Sequence, residues 1–105
     1  MAAATLPLAD VKIVDLMWVM AGPAVTRVLA DYGATVVRIE STRRLDTART
    51  IGPFYDGQPG VENSGLFQNL NAGKLGLTLD LTSAAGRHVF LDLVRWADVV
   101  TESFT

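Results

Sequence analysis

The chain has 105 residues, 50% hydrophobic and 19% charged, and nine Lys/Arg against eleven Asp/Glu give a net charge of −2. That length holds one domain at most. With no cysteine and a single histidine, His88, the composition excludes a disulfide framework, a thiolate zinc site and a multi-histidine metal centre. No basic run exceeds Arg43-Arg44, so the chain lacks the stripe a nucleic-acid binder needs. The charged fraction lies below the roughly 25% usual for soluble domains, which hints at a piece of a larger body or an oligomer.

No basic residue precedes Lys12, so a secretory signal pattern is missing, and no window approaches the ~20 apolar residues of a membrane span. The expectation is a soluble, cytoplasmic protein. Val11 to Leu16 reads as a short strand. Gly22-Pro23 punctuates it, and proline suits the start of a helix. Ala24, Val25, Val28, Leu29 and Tyr32 then form an apolar stripe at helical spacing, with Gly33 as its C-cap. Thr35 to Ile39 is a second β-branched run. Strand, helix and strand together have the size of a βαβ unit.

Residues 41 to 65 carry Gly52-Pro53, Pro59-Gly60 and three arginines, and read as a long irregular loop. Leu66 to Asn71 suggests a short helical turn. Leu75 to Leu81 alternates apolar residues as a third strand. Thr82 or Ser83 is placed to cap a second helix with an apolar stripe at Val89, Phe90, Leu93, Val94 and Ala97. Asp98 to Thr101 begins a fourth strand. The order implies an α/β fold with a mainly parallel sheet and flanking helices, joined by right-handed crossovers. Two helices cover four parallel strands poorly, so the chain reads as the first part of a larger, incomplete domain.

Spacing alone raises a nucleotide site. Glu40 lies 18 residues after Gly22, near where an acidic residue would hold a ribose. Yet Trp18 to Ala24 lacks G-x-G-x-x-G, and no P-loop is present. Two readings stay open: a simple chain turn at Gly22-Pro23, or a helix start that receives a polyanion. Arg38, Arg43, Arg44, Arg49 and Lys74 are the candidate phosphate partners. Asp15, Asp80 and Asp98 sit at strand ends without a partner base, and none is assigned a catalytic role. His88 falls opposite the apolar stripe and should face solvent. Trp96 is expected to pack on the flank of its helix, and Trp18 in the core ahead of a ligand contact.

Four blocks occur in order: Asp10 to Leu16 with Ala21-Gly22-Pro23; Leu29 to Glu40; Asn71 to Lys74 with Leu77 to Leu81; and Gly86 with Ala97 to Phe104. Together they resemble the N-terminal part of the class III CoA-transferases, the CaiB–BaiF family, which includes formyl-CoA transferase. The resemblance runs from about Leu8 to Phe104. It implies a Rossmann-like large domain that binds coenzyme A, with residues 1–105 as its N-terminal CoA-binding segment. It implies that Val19, Met20 and Ala21 contact CoA, that Leu79 lies along the adenine, and that Ser103 and Phe104 also touch the ligand. Lys74 matches the family's Asn-x-Asn-Lys lysine, and Arg49 the arginine after its Gly-Asp.

This sequence departs from the pattern in places. Asn71-Ala72-Gly73-Lys74 stands for Asn-x-Asn-Lys, Leu45-Asp46 for Gly-Asp, and Glu102-Ser103-Phe104 for Glu-Asn-Phe. Ser41 replaces a basic residue after Glu40, so Arg43 or Arg44 would have to substitute for it, and Met20 replaces a glutamine. The resemblance further implies acyl-CoA and carboxylic acid substrates, no metal, and an interlocked homodimer. The family's nucleophilic aspartate lies beyond position 105, which leaves no catalytic residue in this chain and predicts an inactive isolated segment. An α-methylacyl-CoA racemase-like enzyme and a non-catalytic binding or assembly module are the alternative readings.

Overall fold

A computed structural model describes residues 5–104. The elements are β1 (Lys12–Leu16), α1 (Ala21–Asp31), β2 (Thr35–Glu40), α2 (Gly65–Leu70), β3 (Leu75–Thr78), α3 (Ala84–Trp96) and β4 (Val99–Glu102), with short 3-10 turns at Thr47–Thr50 and Tyr55–Gly57. The four strands form one parallel sheet in the order β3-β2-β1-β4. The expected α/β architecture, a parallel sheet with flanking helices, is what the chain adopts.

The sheet has two unlike faces because strand side chains alternate. On one face Val14, Leu16 and Ile39 are buried beneath Phe90, Leu93 and Ala97 of the α3 side, with Leu79 and Leu81 beside them. On the other, Ile13, Ala34 and Val36 pack with Leu29 and Ala30 of the α1 side and with Leu8 and Val11. Further along that second face the apolar residues give way to Asp15 and Arg38, both buried and paired in register across β1 and β2.

Asp15 is fully buried and its carboxylate is saturated. It accepts from the Thr26 hydroxyl at 2.7 Å, the Met17 N–H at 2.9 Å and the Thr101 hydroxyl at 3.1 Å. Lys74 Nζ lies 3.0 Å away and also donates to the Pro23 carbonyl at 3.1 Å and Asn71 Oδ1 at 2.9 Å. One carboxylate therefore joins β1, α1, β4 and the entry to β3.

That anchor explains where the helices differ from expectation. Thr26 is buried, so α1 turns Pro23, Thr26, Leu29 and Ala30 inward, and Val25, Val28 and Tyr32 are exposed. The expected stripe through 24, 25, 28, 29 and 32 is corrected accordingly. The helix also begins at Ala21, two residues before the expected start; Pro23 sits inside the first turn, where a missing N–H costs nothing. Tyr32 is the C-cap, and Gly33 follows it at φ 108°, a conformation that favours glycine. In α3, Val89 is exposed, while Gly86, Phe90, Leu93 and Ala97 form the inward line. A methyl at Gly86 would fall on the Asp80 carbonyl, so this glycine lets α3 close on the end of β3. Ser83 is the N-cap, accepting from the Gly86 N–H at 2.9 Å.

The 41–65 segment is more ordered than an irregular loop. Ser64 Oγ donates to the Ala48 and Ile51 carbonyls and accepts from Phe67 N–H as the cap of α2. Strand β3 ends at Thr78, earlier than the expected Leu81, although the Leu79 N–H still pairs with the Glu40 carbonyl. Asp80 then turns the chain by accepting from the N–H and hydroxyl of Thr82.

Breaking a buried ion pair from one side strands the other charge, at a cost of about 3–5 kcal/mol. Asp15→Asn and Lys74→Met should each lower the thermal midpoint of the intact protein sharply. Calorimetric scans of the two variants beside the parent check this; midpoints within a degree or two of the parent would show the pair to be dispensable.

Candidate functional site

The strand order places a topological switch point at β1 and β4, whose C-terminal ends lie side by side although they are distant in sequence. Crevices at such points are where open α/β sheets take ligands. A cleft of about 520 Å³ occupies this position. Leu16 and Trp18 enter it from the end of β1, Ile39, Glu40, Ser41, Arg43 and Arg44 from the end of β2, Leu79 to Thr82 from the end of β3, and Ser103 and Phe104 from the end of β4. Its wall is largely apolar, with the arginines at one side.

Five of the nine expected contact residues, Arg43, Arg44, Leu79, Ser103 and Phe104, line this cleft. Ser103 Oγ accepts from the Trp18 N–H at 3.0 Å and so ties the ends of β1 and β4 together. Val19, Met20 and Ala21 form the adjoining turn into α1. Val19 has φ 68° and points its N–H at the Asp46 carboxylate, while Met20 is exposed and caps α1 without a side-chain hydrogen bond. The helix start therefore keeps backbone donors with no side-chain acceptor.

Lys74 is the residue the structure sets apart. It lies on the opposite face of the sheet with its side chain 2% exposed, paired to Asp15. Burial pulls its amine below the ordinary lysine value, and the Asp15 carboxylate only partly restores it. The Asn71…Lys74 motif acts in this structure as a latch between α2, α1 and β1.

The remaining cations divide the same way. Arg38 is buried and bound to Asp46 and to Glu40. Arg49 grips Glu40 with two donors, Nη2 at 2.7 Å and Nε at 2.9 Å, and lies 3.7 Å from the centre of the Phe67 ring. Burial pushes the Glu40 carboxyl up, but the Arg49 hydrogen bond, the Asp46 N–H and the Arg38 charge outweigh it and hold the group below its usual 4.5. A smaller cavity of about 280 Å³ borders these groups, and every cation in its wall faces a carboxylate.

Arg43 and Arg44 stay available to the cleft. Arg43 is exposed, with Nε 3.5 Å from Asp80. Arg44 lies over the Trp18 ring at 5.4 Å and has no carboxylate partner among the described residues. The hydroxyl and N–H of Thr82 hold the Asp80 carboxyl below its ordinary value, with Arg43 adding to the effect. Trp18, expected in the core, is instead half-buried on the cleft wall. Its position directly after β1 was the signal that could have placed it there. His88 is exposed as expected, and Trp96 lies on the α3 flank with Lys12 Nζ 5.8 Å from its ring. Among the described residues no three His, Asp or Glu side chains converge as a metal site, and no helix is long and apolar enough to cross a membrane.

The family model for CoA-transferase family III matches residues 8–105. The chain belongs to that family. Over 95 residues it is 43% identical to a succinyl-CoA:mesaconate CoA-transferase of Haloarcula hispanica, a match covering 90% of this chain and 24% of the relative. It is 37% identical to an acetyl-CoA:oxalate CoA-transferase of Acetobacter aceti, covering 93% of this chain and 24% of that protein. A crystal structure of a CaiB/BaiF family protein from Brucella suis superposes with a TM-score of 0.82 at 36% identity, over 96% of this chain and 26% of the other. The chain thus spans about a quarter of the length of the relatives it matches.

The depressed Glu40 carboxyl fixes a pH dependence. As pH falls through the ordinary value of 4.5, the unfolded chain takes up this proton before the folded one does. The contribution of Glu40 is therefore complete above that value and is lost as pH drops through the lower, folded value. Urea midpoints measured from pH 7 to pH 3 should fall less steeply on the acid side for Glu40→Gln than for the parent. Parallel acid limbs would remove Glu40 from the account.

Proposed function

We propose that this chain is the CoA-binding front segment of an enzyme that transfers coenzyme A between carboxylic acids, with the CoA moiety seated in the cleft between the ends of β1 and β4. The observation that carries the reading is the pairing of an apolar wall with two exposed arginines outside the buried ion-pair layer, Arg44 with no carboxylate partner among the described residues and Arg43 at 3.5 Å from Asp80. Leu16, Ile39, Leu79 and the Trp18 ring suit a purine, and Arg43 and Arg44 suit its phosphates. Leu79 alongside the base, and Ser103, Phe104 and the Val19 to Ala21 turn alongside the rest of the ligand, complete the assignment. Lys74 serves this site indirectly, by fixing the turn and α1 through Asp15.

The acyl transfer itself needs a carboxylate that can attack a thioester. Glu40 is clamped by Arg49 and Arg38, and Asp80 is held in its turn by Thr82 and faces Arg43. Neither suits a free nucleophile, so the reading places the nucleophile outside these residues and leaves this segment alone without turnover. The transferase names of the relatives favour this chemistry over racemisation. Acyl-CoA and carboxylic acid substrates, a homodimer and a cytoplasmic setting belong to the same proposal. The exposed Val25 and Val28 of α1, Tyr32 at its C-cap, and Val89 and Leu91 of α3 offer apolar surface for such assembly.

Titration of the intact protein with CoA should show saturable binding that weakens as salt is added. Arg43→Ala and Arg44→Ala should each weaken it about tenfold, the scale of one charge-assisted hydrogen bond. A double variant that binds CoA as the parent does would overturn the placement of the phosphates.

A further inference from the structure

We infer that Asp46 is a positioning residue: through the Val19 N–H it holds the β1–α1 turn in the left-handed conformation that carries Trp18 to the cleft. The functional part of this inference rests on the reading of the cleft as the CoA site.

The β1–α1 turn has an unfavourable backbone. Val19 has φ 68°, and a β-branched residue in that region is strained. Such strain persists only where the surroundings over-determine it. Here they do. The Val19 N–H is shared between Asp46 Oδ1 at 3.2 Å and Oδ2 at 3.4 Å. Asp46 is fully buried and cannot follow the turn if the turn moves. Its carboxylate also accepts from the Ala48 N–H at 2.9 Å and from the Arg38 guanidinium, and its own N–H donates to Glu40 Oε2 at 2.7 Å.

The same network reaches the other side of Trp18. Arg38 Nη2 donates to the Met17 carbonyl at 3.5 Å. The Trp18 N–H is fixed by Ser103. Three consecutive residues, Met17, Trp18 and Val19, are thus tied to a buried acid, a buried base and the end of β4. Nothing in the sheet pairing uses these residues, since β1 ends at Leu16. What the strained turn does achieve is the placement of the Trp18 ring on the cleft wall beneath Arg44. Asp46 belongs to the 41–65 segment, so that segment sets the shape of the cleft through a residue that does not line it.

The test combines hydrogen exchange at the Val19 amide with CoA affinity, both on the intact protein. In Asp46→Ala the Val19 amide should exchange at least about tenfold faster, and CoA should bind about tenfold more weakly because the competent turn is only partly populated. In a Val19→Gly background Asp46→Ala should weaken CoA binding little further, because glycine adopts the left-handed conformation without help. Asp46→Ala binding CoA like the parent, or Asp46→Ala costing as much affinity in the Val19→Gly background as in the parent, would overturn the inference. Should Asp46→Ala fail to fold, Val19→Pro removes the same N–H and forbids the positive φ while leaving Asp46 with Arg38 and Ala48. That variant should lose CoA affinity, and unchanged binding would refute the role. If the parent binds no CoA, the cleft assignment fails. Val19 exchange in the parent and in Asp46→Ala then decides the positioning claim alone: faster exchange in the variant upholds it, and equal rates overturn it.

Discussion

The buried carboxylate of Asp15 is the contact on which this fold depends. A parallel sheet brings together strands that are far apart in sequence, and something has to fix their order before a cleft can form at their ends. Asp15 does so from near the C-terminal end of β1. It binds Thr101 on β4, Thr26 on α1 and Lys74 at the entry to β3. An aliphatic residue there would pack, but would not discriminate among neighbours. A buried charge does, because each mispaired arrangement leaves it without partners.

A second buried carboxylate, Asp46, extends the same polar layer toward the rim of the sheet. Arg38 lies between the two, opposite Asp15 in register and bound to Asp46. The result is a sheet with unlike faces. The α3 side is held by Val14, Leu16, Ile39 and Phe90, and the α1 side by apolar packing at one end and charge pairs at the other. The cleft opens where the apolar α3 side reaches the strand ends.

Much of this was legible in the sequence. The apolar run at 11–16 and the β-branched run at 35–39 located β1 and β2, and the Ser83 cap located α3, because short-range chemistry dictates them. Leu79, Ser103 and Phe104 were legible through the family resemblance, with Arg43 and Arg44 as stand-ins for its basic residue, and all five fall after strand ends, where the crevice of a parallel sheet lies. The inward faces of the helices were less so. Hydrophobicity alone put Val25, Val28 and Val89 inside, and all three are exposed. On α1 a threonine took the buried place because Asp15 required a hydroxyl there, a long-range demand that no local periodicity carries. Lys74 answers the same kind of long-range demand. Its family motif pointed to a ligand contact, whereas its partner, Asp15, lies 59 residues earlier in the chain.

The division of the cations follows from this arrangement and narrows where an anion can bind. Arg38, Arg49 and Lys74 were candidate phosphate partners for a polyanion at the start of α1. Each is buried or nearly so, and each faces carboxylates at short range. An anionic ligand approaching them would compete with Asp15, Glu40 and Asp46, groups already desolvated and hydrogen-bonded, and would disrupt the layer that orders the sheet. Arg43 and Arg44 carry no such obligation. They follow β2 on the exposed side, one against an Asp80 that Thr82 already holds, the other over the Trp18 ring. Charge that folding consumes is unavailable to a ligand, and among the arginines and lysines weighed as phosphate partners the charge left over sits where the strand order puts the crevice.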